Sequence, residues 1–189
     1  VLFRSVPFVY VNQVGGNDDL VFDGNSVVIN AQGRLIAQAA TFKEDLIVVD
    51  IKNPSVQIQP KNYSDIETVH MALIAGLRDY VTKCGFKKVV IGLSGGIDSA
   101  LTAAVAVESL GNQNVIGVLM PSQFSSQGSI DDAVKLSQNL GIVYKIIPIQ
   151  DVFVTYQKTL ETEFKGSPFD ITEENLQARI RGNILMALS

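Results

Sequence analysis

The fold of this chain is decided by residues 89–99, which read VVIGLSGGIDS. The first five, Val89–Leu93, form a short apolar run of the kind that is buried on both faces of a parallel sheet. Two adjacent glycines follow, and then a helical pattern that stops at Gly111. The order of strand, glycine-rich loop and helix predicts an α/β unit.

The glycine-rich loop, Ser94–Ser99, has the composition of a phosphate-binding turn. Ligands of open parallel sheets bind beyond the carboxyl ends of the strands, which is where this loop is expected. Its glycines let the backbone approach a ligand, and the first N–H groups of the next helix have no intrahelical partner. We expect Ser94 and Ser99 to add hydroxyl donors, and Asp98 to hold a Mg²⁺ ion that neutralises the phosphates.

Two other kinds of glycine-rich loop fit these residues less well. A Walker A loop ends in Gly-Lys-Ser/Thr, yet the sequence has no lysine between Lys88 and Lys135. A dinucleotide fingerprint needs Gly-x-Gly-x-x-Gly, which residues 92–99 do not contain. A purely structural Gly-Gly turn is the alternative that the residues leave open.

Helices and strands alternate through the second part of the chain. Ser64 and Glu67 form a capping-box pattern that opens a helix, which we expect to reach Lys83 with Gly85 at its C-terminal cap. The predicted elements after it are strands 89–93, 115–120 and 143–147 and helices 99–110, 129–140 (with Ser129 as its cap), 150–164 and 172–188. This order implies right-handed βαβ units in a doubly wound, parallel α/β sheet.

Residues 6–51 have the pattern of a β-rich segment. Short β-branched and aromatic runs, separated by turn signals such as Gly15–Asp19, occur at residues 6–14, 20–22, 26–30, 35–40 and 46–51. The runs are too close together for crossover helices, so we expect a meander with antiparallel pairing. Residues 52–62 contain Pro54 and Pro60 without periodicity, which predicts a linker. We therefore divide the chain into domains 1–52 and 64–189, joined by a linker at 53–63.

The composition favours a globular protein. Apolar residues make up 47% of the 189 residues, which is enough to form a core. The net charge of −4 argues against binding to nucleic acid or an anionic membrane, because both need a basic surface. No apolar run approaches the roughly 20 residues of a membrane span. The single cysteine, Cys84, excludes an internal disulfide and fits the cytoplasm; we expect a packed, unreactive thiol. Because the chain opens on Val1 and stops at Ser189 inside a predicted helix, we expect a fragment.

Ser-Gly-Gly-x-Asp-Ser on a strand-to-helix turn resembles the pyrophosphate loop of the ATP-pyrophosphatase superfamily, whose fold is adenine nucleotide alpha hydrolase-like. The resemblance implies an enzyme that adenylates an oxygen of its substrate, releases pyrophosphate, and lets a nitrogen or sulfur nucleophile displace AMP. The motif alone distinguishes poorly among the members, which include NAD, GMP and asparagine synthetases.

Three further segments are similar to glutamine-dependent NAD synthetases. Residues 119–126 with Ser129 and Asp131–Ala133 resemble the segment that flanks adenine and the phosphates in that family. Residues 174–182, which read ENLQARIRG, resemble its helix for the dinucleotide substrate; an asparagine and arginines suit the anionic deamido-NAD. Residues 11–26 look like the end of the glutaminase domain, which is a nitrilase-like α/β/β/α domain.

The resemblance implies an ATP- and Mg²⁺-dependent ligase for NAD biosynthesis. It would convert deamido-NAD to NAD with glutamine-derived ammonia, in a cytoplasmic homo-oligomer. The implied ATP-binding residues are Gly92, Leu93, Ser94, Gly95, Gly96, Ile97, Asp98, Ser99 and Met120, with Asp98 also on the metal. The implied deamido-NAD residues are Asn175, Arg179 and Arg181.

The family's Glu, Lys and Cys glutaminase residues would lie upstream of Val1, so we expect no glutaminase chemistry and no complete site in this fragment. Two other functions stay open. One is another synthetase of the superfamily, such as a GMP synthetase-like amidotransferase; the other is a non-catalytic nucleotide-binding fragment.

Overall fold

The structure is a computed structural model that describes residues 6–52, 58–163 and 171–189. The chain divides into two compact units, Val1–Gly85 and Phe86–Ser189. Among the described helices, none is both long and apolar enough to cross a membrane.

The first unit contains five short strands, and all of their pairings are antiparallel, as predicted. They are β1 (Phe8–Tyr10), β2 (Val14–Asn17), β3 (Leu20–Asp23), β4 (Val27–Ile29) and β5 (Leu35–Gln38). The strands do not form a simple meander. β1, β4 and β5 make one sheet in that order, while β2 and β3 make a separate hairpin between β1 and β4 in sequence.

A long helix, α1 (Asp65–Lys83), packs on the β2–β3 hairpin. The predicted capping box is confirmed: the Ser64 hydroxyl accepts from the Glu67 amide at 3.3 Å, and the Glu67 carboxylate accepts from the Ser64 amide at 2.8 Å. Gly85, with φ +79°, follows the helix where a C-terminal cap was predicted. By its packing, α1 belongs to the first unit. The domain division predicted from the sequence places this helix in the second domain, 64–189, and that division stays a prediction.

Two predictions in the first unit are wrong. The turn predicted at Gly15–Asp19 begins three residues later, since Gly15 and Gly16 lie inside β2 and the strand predicted at 6–14 is two strands. The cause is tertiary: α1 holds the glycine backbone in place. The run at 46–51 forms no strand, and Leu46 and Val48 are 89% and 95% exposed. Nothing in the described part of this unit pairs with it.

The second unit is a parallel sheet with helices on both faces. Its strands lie in the order β6 (Val89–Leu93), β7 (Val115–Leu119) and β8 (Val143–Ile146). Its helices are α2 (Ile97–Leu110), α3 (Gln127–Leu140), α4 (Gln150–Thr159) and α5 (Ile171–Leu188). The α/β fold and its parallel sheet are as predicted from the alternating pattern.

The core of this unit follows from the period of the strands. Along β7, Ile116 and Val118 face one side, together with Met120 just beyond the strand, and pack with Phe153 of α4 and Ile180 of α5. Helices α2 and α3 pack with the same sheet through their contacts with β6, β7 and β8. β6 and β7 are therefore covered on both faces, which explains why they are continuously apolar, whereas β8 contains Lys145 and is largely exposed.

Helix boundaries differ from prediction at three places. α2 begins at Ile97 and not at Ser99, so Asp98 lies in its first turn. α3 begins at Gln127 with Ser126 as its cap, and the predicted cap Ser129 instead donates its amide to the Ser126 hydroxyl at 3.1 Å. Either serine can accept from an amide three residues on, so composition alone does not choose between them. α4 ends at Thr159, five residues before its predicted end at Phe164, because the described residues 160–163 form turns.

Candidate functional site

The loop from β6 to α2 lies at the carboxyl edge of the parallel sheet. Gly95 has φ +81°, which favours glycine. A side chain at this position would also overlap with the backbone of Ser129 in the first turn of α3. The glycine is thus required both for its conformation and for close approach to a second helix.

The two serines of the loop bond to the loop itself. The Ser99 hydroxyl accepts from the Ser94 amide at 3.2 Å and donates to the Gly96 carbonyl at 3.0 Å. The Ser94 hydroxyl accepts from the Gly96 amide at 3.1 Å and lies 3.1 Å from the Ser99 hydroxyl. By contrast, no side chain caps the N-terminus of α2. The serines hold the shape of the loop, and the first-turn amides of α2 stay available for an anion.

A cavity of about 520 Å³ opens beside this loop. Part of its wall comes from residues singled out in the sequence: Gly92, Leu93, Ser94, Met120 and Arg181. The rest of the loop set, Gly95, Gly96, Ile97, Asp98 and Ser99, does not line it. The cavity therefore joins the end of β6 to the end of β7 and to α5, while the tip of the loop lies at its edge.

The remaining wall was not among the predicted ATP-binding residues. It comes from Leu119, Pro121, Phe124, Ser125, Ser126, Ser129, Ile130, Ala133 and Leu185. Most of them lie in the segment that the sequence likened to the part flanking adenine and the phosphates, residues 119–126 with Ser129 and Ala133. The ends of adjacent parallel strands meet at one edge of the sheet, which brings this segment beside the loop. Hydroxyls on an otherwise apolar wall suit a ligand with a flat apolar part and a polar chain.

Arg181 is the cationic side chain of this cavity. Its Nε–H donates to the Met120 carbonyl at 3.2 Å, which fixes α5 to the end of β7. Burial lowers the pKa of the guanidinium, yet arginine stays charged at physiological pH. Within the described residues no carboxylate pairs with it.

Asn175 and Arg179 are exposed and do not line the cavity. With Gly182 they lie at i, i+4 and i+7 on one face of α5, as the sequence spacing predicts. The three predicted dinucleotide-binding residues are therefore divided: two lie on an exposed face, and Arg181 lines the cavity.

Asp98 is exposed, and its carboxylate has no partner among the described residues. The described residues hold no group of three or more potential metal ligands. Mg²⁺ commonly takes one or two protein carboxylates and completes its coordination with phosphates and water. A lone carboxylate in the first turn after a phosphate-type loop fits that chemistry.

Cys84 was predicted to be a packed thiol, and this is wrong: it is exposed. It follows the last residue of α1, where the helix ends and no element covers it within the described part of the unit. Burial was inferred from the general preference of cysteine, and the position at a helix end overrides it.

Two protein families match the sequence. The family model for NAD synthase matches residues 69–189, and the model for carbon-nitrogen hydrolase matches residues 3–61. These ranges meet near the segment that the sequence marks as a linker.

The relatives in curated collections are glutamine-dependent NAD(+) synthetases. Those of Synechocystis and Thermotoga maritima are 49% and 48% identical over 98% and 97% of this chain. A solved glutamine-dependent NAD+ synthetase from Acinetobacter baumannii, in complex with ADP, superposes on all of the chain with a TM-score of 0.93 and 43% identity. The chain spans about a third of the length of these proteins, from 34% to 38%.

Proposed function

The chain belongs to the NAD synthase family, and we propose that the full-length protein containing it makes NAD by ATP-dependent amidation of deamido-NAD. The observation that carries this proposal is the cavity between the end of β6, the end of β7 and the start of α3, which the guanidinium of Arg181 lines. The names of the relatives agree with it.

We propose that ATP occupies this cavity. The apolar floor at Leu93 and Met120 suits the base, and the loop with the start of α2 suits the phosphates. The Acinetobacter baumannii relative, which has the same fold over the whole chain, is in complex with ADP. The residues proposed for ATP are Gly92, Leu93, Ser94, Gly95, Gly96, Ile97, Asp98, Ser99 and Met120.

In the proposed reaction the nicotinate carboxylate of deamido-NAD attacks the α-phosphate of ATP and pyrophosphate leaves. The amides at the start of α2 hold the leaving group, and the Ser94–Ser99 bonds keep the loop in the shape that presents them. Mg²⁺, which Asp98 would hold, neutralises phosphate charge when bound. Ammonia then displaces AMP from the adenylated carboxylate, and the product is the carboxamide of NAD.

The second substrate is assigned to α5. Asn175 and Arg179 share an exposed face of this helix, where an amide and a guanidinium can bind carboxylate or phosphate oxygens. Arg181 was grouped with them by sequence, but its place in the cavity makes it a candidate for either ligand.

The ammonia is proposed to come from glutamine. The carbon-nitrogen hydrolase match at residues 3–61 supports a glutaminase domain in the parent protein. We also propose that the parent is cytoplasmic and homo-oligomeric. The 189-residue chain alone is expected to bind ATP weakly and to have no synthetase activity, because it spans about a third of its relatives.

The test uses the full-length protein with ATP and Mg²⁺. Deamido-NAD should release pyrophosphate and yield NAD, with glutamine or ammonia as nitrogen donor. Xanthosine monophosphate and aspartate, which are substrates of other synthetases in the superfamily, should release none. Pyrophosphate release with either of these and not with deamido-NAD would reject the proposal. Titration of the isolated chain with ATP and Mg²⁺ tests the expectation about the fragment.

A further inference from the structure

Helix α5 carries two arginines, Arg179 and Arg181, whose surroundings differ. Two residues along an α-helix correspond to a rotation of about 200°, so their side chains leave opposite sides. Arg181 is half-buried, lines the cavity and donates to the Met120 carbonyl, whereas Arg179 is exposed and does not line it. The two guanidiniums therefore cannot serve the same small group of ligand atoms from one helix face.

The face that carries Arg181 also carries a second polar side chain. Gln177, one turn earlier, is only 7% exposed, and its side chain forms no hydrogen bond with any described residue. Its amide still has access to solvent, since every fully buried polar side-chain atom in the described part has a partner. Gln177 lies outside the cavity lining, so Arg181 is the polar side chain of this face that lines the cavity.

The charge on Arg181 points to the kind of ligand. A guanidinium has five N–H donors, and only Nε–H is used within the described structure. No described carboxylate offsets its charge, although it is half-buried. Strand β7, to which it is bonded, is the immediate neighbour of β6, which leads into the phosphate-type loop. Ser94, the first residue of that loop, and Arg181 line the same cavity, so an anion that extends from the loop into the cavity meets Arg181.

We propose that α5 divides the two substrates between its faces: Arg181 binds the phosphate chain of ATP, and Arg179 on the opposite face binds deamido-NAD. The inference rests on the proposed function, since it takes ATP as the occupant of the cavity. This proposal assigns Arg181 to ATP, whereas the sequence had assigned it to deamido-NAD.

The experiment measures equilibrium binding to the full-length protein in the absence of deamido-NAD, with ATP and adenosine as separate probes. Arg181→Met should weaken ATP binding by about tenfold to hundredfold, the range of a charge-assisted hydrogen bond, and leave adenosine binding unchanged. Arg181→Lys should give an intermediate loss, because one ammonium cannot reach both the Met120 carbonyl and a phosphate. Arg179→Met, from the same helix, should not change ATP affinity but should raise KM for deamido-NAD.

Four outcomes would reject the inference. Equal ATP affinity in wild type and Arg181→Met, or a rise in KM for deamido-NAD alone, would overturn the inference. Parallel losses for ATP and adenosine would also overturn it, because they would assign Arg181 a structural role. If the wild type itself binds no ATP, the proposed function fails together with the inference. This result differs from failure at Arg181 alone, where the wild type binds ATP and the Arg181→Met variant binds it equally well.

Discussion

The chain contains two Gly-Gly pairs in similar sequences, Val14-Gly15-Gly16-Asn17-Asp18 and Ser94-Gly95-Gly96-Ile97-Asp98. In both, the first glycine has a positive φ, +109° at Gly15 and +81° at Gly95, and in both a side chain there would overlap with a neighbouring element. The local backbone requirements are alike. What differs is how the polar groups around each pair are satisfied.

Around the first pair, side chains of the protein supply a partner for both backbone polar groups of Gly16. The Gly16 amide donates to the Asp79 carboxylate at 2.8 Å, and its carbonyl accepts from the Lys83 ammonium one turn further along α1. At the second pair no side chain caps the start of α2, and Asp98 has no partner among the described residues. A glycine pair whose polar surroundings are saturated is structural, and one whose surroundings are open is a candidate for ligand binding.

The strongest test of this contrast replaces each of the two aspartates, Asp98 and Asp79, by alanine in separate variants. Asp98→Ala in the full-length protein should lower the rate of adenylation by about 100- to 1000-fold, as removal of a charge-stabilising group does. Its stability should change by no more than about 0.5 kcal/mol, because the carboxylate is exposed and unpaired. Pyrophosphate release and urea unfolding measure the two effects.

Asp79→Ala is the matched control. It removes the acceptor of the Gly16 amide, so it should lower the free energy of unfolding of the first unit by about 1–3 kcal/mol. ATP affinity should be unaffected. If Asp98→Ala loses stability and rate together, the carboxylate is structural and the contrast between the two pairs fails.

The second test concerns the first glycine of each pair. Gly95→Ala places a methyl group against the Ser129 backbone, so the loop or α3 must move. A shift of about 1 Å in such a site can lower kcat/KM for ATP by about 100-fold. Gly15→Ala instead meets the end of the Asp79 side chain, which can rotate away. Its cost, about 1–3 kcal/mol of backbone strain, should appear in unfolding measurements only. Equal kinetic effects of the two variants would contradict this.

A smaller effect is expected where an open polar group is removed. Gln177→Leu replaces a buried amide without a described partner by an apolar side chain of similar size. Because this amide keeps access to solvent and lies outside the cavity lining, the free energy of unfolding of the unliganded protein should change by no more than about 1 kcal/mol, and ATP affinity should not change. Thermal unfolding with and without ATP measures both. A larger loss of stability without ligand would show that the amide is satisfied within the protein.

The smallest effect concerns a saturated site far from the sheet edge. Hydrogen bonds from the Ser64 amide and hydroxyl lower the pKa of Glu67. The stability that this carboxylate contributes is therefore present above its ordinary pKa and is lost as the pH falls through the lowered one. Glu67→Gln should flatten the pH dependence of the free energy of unfolding in that acidic range. The slope of this dependence near neutral pH should stay the same. An unchanged acid limb would mean that the capping box contributes nothing measurable.

Sequence reasoning succeeded where local rules act alone. The strand–loop–helix order around residues 89–110, the capping box at Ser64 and the glycine that ends α3 at Gly141 depend on neighbours within a few residues. It failed at Gly15-Gly16, where the decisive partners Asp79 and Lys83 lie more than 60 positions away in sequence.

The site shows the same limit. The loop could be found from its motif, because its geometry is set by six consecutive residues. The division of Arg179 from Arg181 could not, since it depends on how α5 is rotated against β7. Helical spacing predicts that the two differ in direction, and only packing decides which one meets the cavity.

The hydrogen bond between Arg181 and residue 120 has a consequence for how this site can evolve. Its acceptor is a main-chain carbonyl, which every amino acid provides. Substitutions of Met120 can therefore reshape the floor of the cavity while α5 stays attached to the sheet. Position 120 can vary between homologues to suit a different base or ribose, whereas position 181 must keep a donor that reaches this carbonyl for the hydrogen bond to persist.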